Sequence, residues 1–273
     1  MHRRLMVSIA RLATSAILAA LVLVVAAGPS LVLAASADTK RLQQLASGPQ
    51  RSAGNVARDA ARHPVAVLTF FKITPTTRVI EVSPGGAGYW TEILAPYLRD
   101  YGRYTAAIPK SDTVFKAKLA AEPLYYQRAA TVEFSSGAPD LGPPDSADTV
   151  LTFRNLHNWM AAGKADAVLA AIHKVLRRGG MMGIEEHRGL VDTPQDPLAK
   201  SGYVRQDYAI AMIEKAGFRF AGTSEVNANP KDIKTYPDGV WTLPPTYQLK
   251  DVDRAKYTAI GESDRFVLKF VKR

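Results

Sequence analysis

The segment Val79–Tyr89 constrains the fold of this 273-residue chain more than any other part of the sequence. It consists of Val-Ile-Glu-Val-Ser-Pro-Gly-Gly-Ala-Gly-Tyr, a short β-branched run followed by a glycine-rich turn, and an amphipathic helical pattern comes next. Glycine serves such a turn because it reaches backbone angles closed to other residues and lets a ligand approach the main chain beside the positive start of a helix. The segment therefore predicts a strand, a ligand-binding turn and a helix.

Strand and helix patterns alternate along the chain. Strands are predicted at Arg78–Val82, Tyr104–Ile108, Ala130–Phe134, Ala147–Phe153, Met181–Glu185, Phe218–Val226 and Arg265–Val271. Helices are predicted at Asn55–Arg62, Pro64–Phe71, Tyr89–Tyr101, Lys116–Ala121, Lys164–Arg178 and Tyr203–Ala216. This alternation predicts an α/β fold with a mostly parallel sheet. The last two strands are expected to pair antiparallel, because residues 227–263 between them lack a helical pattern and form an insertion.

The N-terminus has the pattern of an export signal. Residues 1–11 are basic and free of acids, residues 12–27 are apolar, and Ala35-Ser36-Ala37 offers the small residues of a cleavage site. We predict a signal peptide over 1–37, a flexible lead-in over 38–54 and a single domain over 55–273, located in the periplasm or secreted. The alternative is an uncleaved segment that anchors the protein to the inner membrane, since residues 16–35 could just span a bilayer.

Charge and composition limit the classes of partner. The formal charge is +10, but no run of Lys or Arg dominates and basic residues do not alternate with aromatic ones, so nucleic-acid binding is not expected. The chain has no cysteine, which excludes disulfides, thiolate zinc sites and cysteine nucleophiles. The expected partner is a small-molecule substrate.

Polar side chains follow the predicted fourth and fifth strands, at the edge where open α/β sheets bind ligands. Asn155, His157 and Trp159 follow the fourth strand, and Glu186 and His187 follow the fifth. His157 and His187 are the candidate catalytic residues, because histidine can act as a general base near neutral pH. The alternatives are that His157 only hydrogen-bonds its loop, and that Glu186 and His187 belong to a solvated charged loop. The two histidines could share a metal, but no His-x-x-x-His helix is present, so no metal site is predicted.

The insertion over residues 227–263 is rich in proline, tyrosine and aspartate. It contains Tyr236, Trp241, Pro244, Pro245 and Tyr247. An insertion next to the sheet edge could cover a bound substrate. The alternative is a surface loop with local packing of its own.

The ordered motifs resemble the class I S-adenosylmethionine (SAM)-dependent methyltransferase superfamily, and within it bacterial predicted methyltransferases that often carry signal peptides. The resemblance covers nearly all of the chain after residue 37. It is carried by Arg58-Asp59, Arg62, Pro64, the turn Pro84–Tyr89, Thr91–Tyr97, His173–Gly180, Gly202-Tyr203-Val204, Ala216-Gly217-Phe218 and Asp264-Arg265-Phe266. It implies a Rossmann-like, seven-stranded sheet whose last strand is antiparallel, with SAM at the carboxyl ends of the strands.

The resemblance also implies an activity and a set of cofactor-binding residues. Those residues are Glu81, Pro84, Gly85, Gly86, Gly88, Tyr89 and Asn155. The implied activity is methyl transfer to an unknown, small-molecule acceptor; the alternative is an exported non-catalytic ligand-binding or scaffold protein that keeps the fold. The chain departs from the family pattern twice. Ser83 stands where many methyltransferases have glycine, and the second strand runs into Ile108-Pro109-Lys110 instead of ending in the acid that holds the ribose hydroxyls, with Asp112 as the nearest acid.

Overall fold

A computed structural model of the protein describes the backbone of residues 29–273 and the side chains from residue 37 onward. Residues 1–28, which include most of the predicted signal peptide, lie outside the described residues. The helices are α1 Pro29–Ala46, α2 Ala53–Val56, α3 Asp59–Arg62, α4 Pro64–Phe70, α5 Thr91–Leu98, α6 Thr113–Ala121, α7 Pro123–Tyr126, α8 Leu156–Ala161, α9 Ala165–Val175, α10 Gln206–Lys215 and α11 Arg254–Ile260, with a 3-10 helix at Gly239–Thr242. Within residues 29–273, none of the helices is long and apolar enough to cross a membrane.

Seven strands form one mixed sheet. They are β1 Arg78–Val82, β2 Arg103–Ile108, β3 Ala130–Glu133, β4 Ala147–Phe153, β5 Leu176–His187, β6 Phe218–Ser224 and β7 Arg265–Lys272, in the order β3-β2-β1-β4-β5-β7-β6. Strands β1 to β5 pair parallel, and β7 runs antiparallel to both of its neighbours, β5 and β6. The predicted fold is confirmed, including the antiparallel pairing of the last two strands. The strand order reverses between β1 and β4, where sheets of this kind bind ligands.

Apolar side chains cover both faces of the sheet. Val150 and Leu151 are consecutive residues of β4, and they belong to different cores because successive side chains of a strand point to opposite faces. The first core also contains Ile172 of α9 and Ile213 of α10, and the second contains Leu94 of α5. Burial on both faces explains why β4 is apolar almost throughout instead of alternating.

The segment predicted as a flexible lead-in has a different structure. Helix α1 continues to Ala46, and its Leu42 is 2% exposed in the core that α4 and α5 share. Leu45 and Ala46 also pack against this core, but polar pairs flank Leu42 in the sequence and the apolar pattern covers only this short stretch, so it did not predict a helix. The helix therefore adds to the domain where the sequence predicts a linker.

Several helix boundaries also differ from the prediction. Helix α9 ends at Val175, and Leu176 already pairs with Ala147 of β4, so β5 begins before Gly179-Gly180. The predicted helix Asn55–Arg62 is divided into the single turns α2 and α3. Helix α8, which carries His157, was not predicted because its six residues are too few to show a period.

Candidate functional site

A cavity of about 310 Å³ lies at the carboxyl ends of β1, β4 and β5. The turn after β1 contributes Pro84 and Gly85, the segment after β4 contributes Asn155 and His157, and β5 contributes His187. The topology thus brings together residues from three strands that the sequence separates by up to a hundred positions. The volume is in the range of ordinary small-molecule sites.

The insertion over residues 227–263 covers this cavity. Trp241 and Pro244 line it, and the Trp241 ring centroid lies 6.0 Å from that of His157. Gly239 has a φ of 56°, and a Cβ there would lie 2.2 Å from the Ser201 carbonyl oxygen, so glycine is required for the insertion to dock this closely. The insertion therefore covers the cavity instead of forming a separate surface loop, and its role in capping a ligand stays a prediction.

His157 and Glu186 form a buried pair in the cavity wall. The His157 Nδ1 atom lies 2.9 Å from Glu186 Oε1, and the same carboxylate accepts hydrogen bonds from the backbone N–H groups of His157 and His187. Burial would lower the pKa of His157, but the Glu186 carboxylate outweighs this effect and the pKa is raised. With Nδ1–H donated to the carboxylate, Nε2 is the ring nitrogen left for chemistry.

His187 has the opposite electrostatic environment. Its Nδ1 atom contacts the Ser263 hydroxyl, and its ring centroid lies 5.4 Å from that of His157. Burial lowers the pKa of His187 well below its usual value, and the charges of His157 and Arg154 lower it further. The two predicted catalytic histidines therefore lie side by side, with His157 tuned toward the cationic form and His187 held neutral.

His157, Glu186 and His187 also bring ligand atoms within 4.8 Å of one another, a spacing that one metal ion could bridge. The sequence predicts no metal site, because it has no His-x-x-x-His helix. Glu186 and His157 are 29 positions apart, and only the tertiary structure joins them. In this structure the Glu186 oxygens are engaged by His157 Nδ1 and by two backbone N–H groups. The carboxylate therefore serves as the partner that orients His157.

The glycine turn presents two different faces. Gly85 has a φ of 74°, a Cβ there would meet no atom within 4 Å, and the residue lines the cavity. Gly86 and Gly88 instead face α6, where added Cβ atoms would lie 3.2 Å from Val114 Cγ1 and 3.1 Å from Lys118 Cε. Of the predicted cofactor-binding turn, Pro84 and Gly85 reach the cavity, whereas Gly86 and Gly88 allow α6 to approach.

Glu81 and Tyr89, two other predicted cofactor-binding residues, do not line the cavity. The Tyr104 and Thr91 hydroxyls donate to Glu81 Oε2 at 2.6 and 3.2 Å, and burial raises the Glu81 pKa from its usual 4.5 to about 7. The Tyr89 hydroxyl donates to Asp59, and the Arg62 guanidinium lies 4.3 Å from its ring centroid. Both side chains support the turn from behind.

Asn155 lines the cavity and also fixes the turn. Its Nδ2 atom donates to the Val82 carbonyl oxygen at 3.0 Å and to Thr152 Oγ1 at 3.1 Å, which leaves Oδ1 as the atom available to a ligand. Asp112, the acid nearest the end of β2, accepts from the Phe115 N–H at 2.9 Å and caps α6. The side chain that could have replaced the missing ribose acid is thus committed to a helix.

Sequence reasoning missed a group of arginines beside the cavity. We define the cavity charge cluster as Arg58, Arg62, Arg154, Arg265, Glu185 and Glu262. Arg154 and Glu262 line the cavity, and Arg62 and Arg265 are each 1% exposed behind them. A signal was present, because Arg58, Arg62 and Arg265 belong to the family-like motifs and Arg154 directly precedes Asn155, but nothing in the spacing joins them.

Comparison with known proteins supports the fold. No family model matches the sequence, and no similar sequence was found among curated proteins. A SAM-dependent methyltransferase from Aquifex aeolicus superposes with a TM-score of 0.56 at 14% identity, covering 86% of this chain and 99% of that one. The [4+2]-cyclase SpnF superposes with a TM-score of 0.57 at 15% identity, over 88% and 94%.

The CcbJ methyltransferase from Streptomyces caelestis gives a TM-score of 0.51 at 14% identity, over 79% of this chain and 90% of that one. Identities this low establish a common architecture and leave the ligand and the reaction to be argued from the site. The chain therefore has the Rossmann-like α/β fold of the class I methyltransferases.

Proposed function

We propose that the protein binds SAM at the turn after β1 and transfers its methyl group to a small-molecule acceptor held in the cavity. The observation that carries this proposal is the meeting of an open glycine backbone and an oriented histidine in one cavity of a methyltransferase fold. Gly85 supplies the backbone, and the His157–Glu186 pair supplies the base. Two of the solved structures named above are methyltransferases, and the one from Aquifex aeolicus is SAM-dependent.

The chemistry of the cavity wall fits SAM in part. A ligand can approach the Gly85 backbone closely, and Asn155 Oδ1 can accept a hydrogen bond from it. The Arg154 guanidinium lies in the same cavity wall. The end of β2 fits less well, since Asp112 caps α6. We therefore expect Gly85 and Asn155 to hold the ligand and the ribose hydroxyls to find partners other than a carboxylate of β2.

When bound, SAM supplies an electrophilic methyl group. The protein orders the acceptor under Trp241 and Pro244 and excludes water from it, which places the reacting atoms in line. His157 accepts the proton of the acceptor nucleophile at Nε2, and Glu186 stabilises the imidazolium that results. Because the His157 pKa is raised, the neutral base forms only as the pH rises above the usual histidine range. The rate should therefore increase with pH above that range.

Calorimetric titration with SAM and S-adenosylhomocysteine tests binding. Gly85→Val should abolish the heat of binding, because a branched side chain would occupy the ligand side of the turn. Gly163→Val is the matched control, since Gly163 also has a positive φ and open space around it but lies outside the cavity. No heat with either ligand at millimolar concentration, or equal loss in both variants, would refute the proposal.

Transfer of a labelled methyl group from SAM to the small molecules of a cell extract tests catalysis. His157→Gln should lower the rate by about two to four orders of magnitude, the usual contribution of a general base. His173→Gln, on α9 beside Gly217, is the control and should leave the rate unchanged. A rate of His157→Gln equal to that of the wild type would exclude His157 as the base.

A second candidate function is ligand binding without methyl transfer. It is favoured by the engagement of Asp112 in capping, and by the likeness to SpnF, a cyclase with the same architecture. In this case S-adenosylhomocysteine or another nucleoside would bind, and Gly85→Val would release it, but no label would reach any acceptor. Labelled product would eliminate this alternative.

The proposed compartment is the periplasm or the exterior, with cleavage after Ala37. Support comes from the basic, apolar and small-residue pattern of residues 1–37. Sequencing the N-terminus of the protein from separated cell fractions tests this proposal. A mature chain that begins at Asp38 is expected outside the cytosol, and Met1 retained in the cytosolic fraction would contradict it.

A further inference from the structure

We propose that the acceptor carries an anionic oxygen group, a carboxylate or a phosphate, and that the Arg154 guanidinium binds this group at the cavity wall. This inference rests on the proposed function, because it identifies the substrate class of the same cavity. It is carried by three observations: the charge balance of the cluster, its unpartnered donors and the backbone conformation of Arg154.

The cavity charge cluster has more cations than anions. Four arginines face two glutamates, which leaves an excess of two positive charges in a region where Arg62 and Arg265 are each 1% exposed. Burial lowers the Arg62 pKa to about 9, and repulsion by Arg154 and Arg58 contributes to this shift. Buried charge without a counter-charge is costly, so a cluster of this kind is completed by an anion from outside.

The cluster also has hydrogen-bond donors without acceptors. Among the described residues, buried guanidinium nitrogens of Arg58, Arg62, Arg154 and Arg265 lack a partner. The guanidiniums of Arg62 and Arg154 donate no hydrogen bond, and their nearest carboxylate oxygens are 3.7 and 3.9 Å away. Of these two arginines, only Arg154 lines the cavity. Native proteins pair nearly all buried donors, so the missing acceptor belongs to a ligand.

Arg154 occupies the one position of the cluster from which a cation can meet a ligand directly. Its side chain lines the cavity and is 24% exposed, whereas Arg62 and Arg265 lie behind it. Its φ is 59°, a conformation unfavourable for arginine, and its backbone N–H is held by the Glu185 carbonyl oxygen at 2.7 Å. Strain of this kind is retained where a side chain must be aimed, and here it aims Arg154 beside Asn155 and His157.

The same charges argue against a cation as the occupant. A metal ion on His157, Glu186 and His187 would have to displace the hydrogen bonds that Glu186 accepts from His157 Nδ1 and the backbone. The metal ion would also lie in the positive field of Arg154. Burial, the charge of His157 and the charge of Arg154, in this order, lower the pKa of His187. An oxyanion neutralises this field, and a metal ion would add to it.

An oxyanion in this cavity could belong to the acceptor or to the methionyl carboxylate of the donor. The acceptor is favoured by position, because Arg154 lines the same wall as the candidate base His157 and lies three residues before it in the chain. An acceptor anchored on Arg154 would present its nucleophile to His157. The donor carboxylate is the alternative that the experiment distinguishes.

The experiment titrates inorganic phosphate and acetate into the full-length protein at constant ionic strength, first without and then with saturating S-adenosylhomocysteine. Trp241 lines the cavity, so its fluorescence reports occupancy, and calorimetry gives the affinity. Arg154→Gln should weaken anion binding by about ten- to a hundredfold, as expected for the loss of charge-assisted hydrogen bonds. Arg154→Lys keeps the charge and should restore part of the affinity.

Arg178→Gln is the matched control, since Arg178 is an exposed cation near the start of β5, at the opposite edge of the sheet. It should bind phosphate as the wild type does. Anion affinity unchanged in Arg154→Gln, or lowered equally in Arg178→Gln, would overturn the inference.

The S-adenosylhomocysteine arm separates the two sources of the anion and the two proposals. Unchanged phosphate affinity in its presence supports an acceptor site, whereas competition assigns Arg154 to the donor carboxylate and overturns the acceptor assignment. Phosphate binding without any binding of S-adenosylhomocysteine would refute the proposed methyl transfer while leaving an oxyanion site on Arg154. Binding of S-adenosylhomocysteine without phosphate binding would refute the oxyanion site alone.

Discussion

Two groups of buried charges meet at the ring of Tyr89, and they are built on different principles. The first, which we call the Arg51 network, consists of Arg51, Asp59, Glu92 and Lys118, and its charges balance. Arg51 donates to Glu92, to Asp59 and to the Ala46 carbonyl oxygen, so its guanidinium is fully engaged. The second is the cavity charge cluster, which has excess positive charge and unpartnered nitrogens.

The comparison separates structural charges from ligand-binding charges within one molecule. Arg51 and Arg62 lie 4.9 and 4.3 Å from the Tyr89 ring centroid, so their distance from this shared ring does not distinguish them. The two groups differ in whether their charges are balanced and their hydrogen-bond donors are paired. A balanced network stabilises the fold by itself, whereas an unbalanced one lowers stability until an anion binds.

The largest effect is expected where the balanced network is broken. Arg51→Met should lower the free energy of unfolding by about 3–5 kcal/mol, because Glu92 and Asp59 would each lose a buried partner. Chemical denaturation at neutral pH measures the change, with Arg178→Met as a surface control. A loss below about 1 kcal/mol would show that the Arg51 network is not structural.

Glu81 sharpens the comparison, because its side chain contacts Thr91 next to the Arg51 network and feels the charge of Arg62 in the other group. Its pKa is raised by burial to about 7 in the folded state, so the folded protein binds this proton more tightly than the unfolded chain. The resulting stability is fully present below the unfolded pKa near 4.5 and is lost as the pH rises to about 7. The total loss should be about 3 kcal/mol.

Glu81→Gln removes this proton and keeps an acceptor for Tyr104. The free energy of unfolding of this variant should therefore change less than that of the wild type between pH 5 and 7. Denaturant midpoints measured at intervals across this range test the prediction, with Glu133→Gln at an exposed position as the control. Parallel curves for Glu81→Gln and the wild type would mean that Glu81 is ionised in the folded protein.

In the cavity charge cluster, removing an arginine should change the free energy of unfolding in the opposite direction. Arg154→Met should raise the free energy of unfolding of the ligand-free protein by about 1 kcal/mol, because it removes repulsion without orphaning a carboxylate. The Glu185 carboxylate would still accept a hydrogen bond from Asn227 Nδ2 at 2.6 Å, and its Oε1 atom would still lie 3.6 Å from Arg265 Nη1. Thermal and chemical denaturation without phosphate provide the test. Destabilisation comparable to that of Arg51→Met would erase the distinction between the two groups.

The smallest effect concerns the turn between the two groups. Ser83 has a φ of 52°, which lies in the left-handed region that favours glycine. Ser83→Gly should relieve the backbone but add entropy to the unfolded chain, so a net gain of only about 0.5 kcal/mol is expected. A matched substitution, Ser111→Gly, lies outside the positive-φ residues and should destabilise slightly. A loss in Ser83→Gly would show that the serine side chain has a role of its own.

The sequence alone determined the architecture of this protein. The apolar run of β4 and the glycine turn after β1 are local signals, and each follows from burial or from backbone geometry within a few residues. The antiparallel pairing of β6 and β7 was predicted correctly from the missing helical pattern between them, but that premise was incomplete, because the short helix α11 lies in this segment. The order of the predicted strands also placed His157 and His187 at the carboxyl edge of the sheet, since parallel strands end at the same edge.

Only the tertiary structure decided which residues of the site contact one another. It showed that Glu81 and Tyr89 support the turn while Gly85 reaches the cavity, because a sequence motif does not state which side of a turn a ligand occupies. It joined His157 to Glu186 across 29 positions and brought Arg154 beside Arg62 and Arg265. Charge balance and the pairing of donors depend on distances between groups that are remote in the chain, and these distances exist only once the chain has folded.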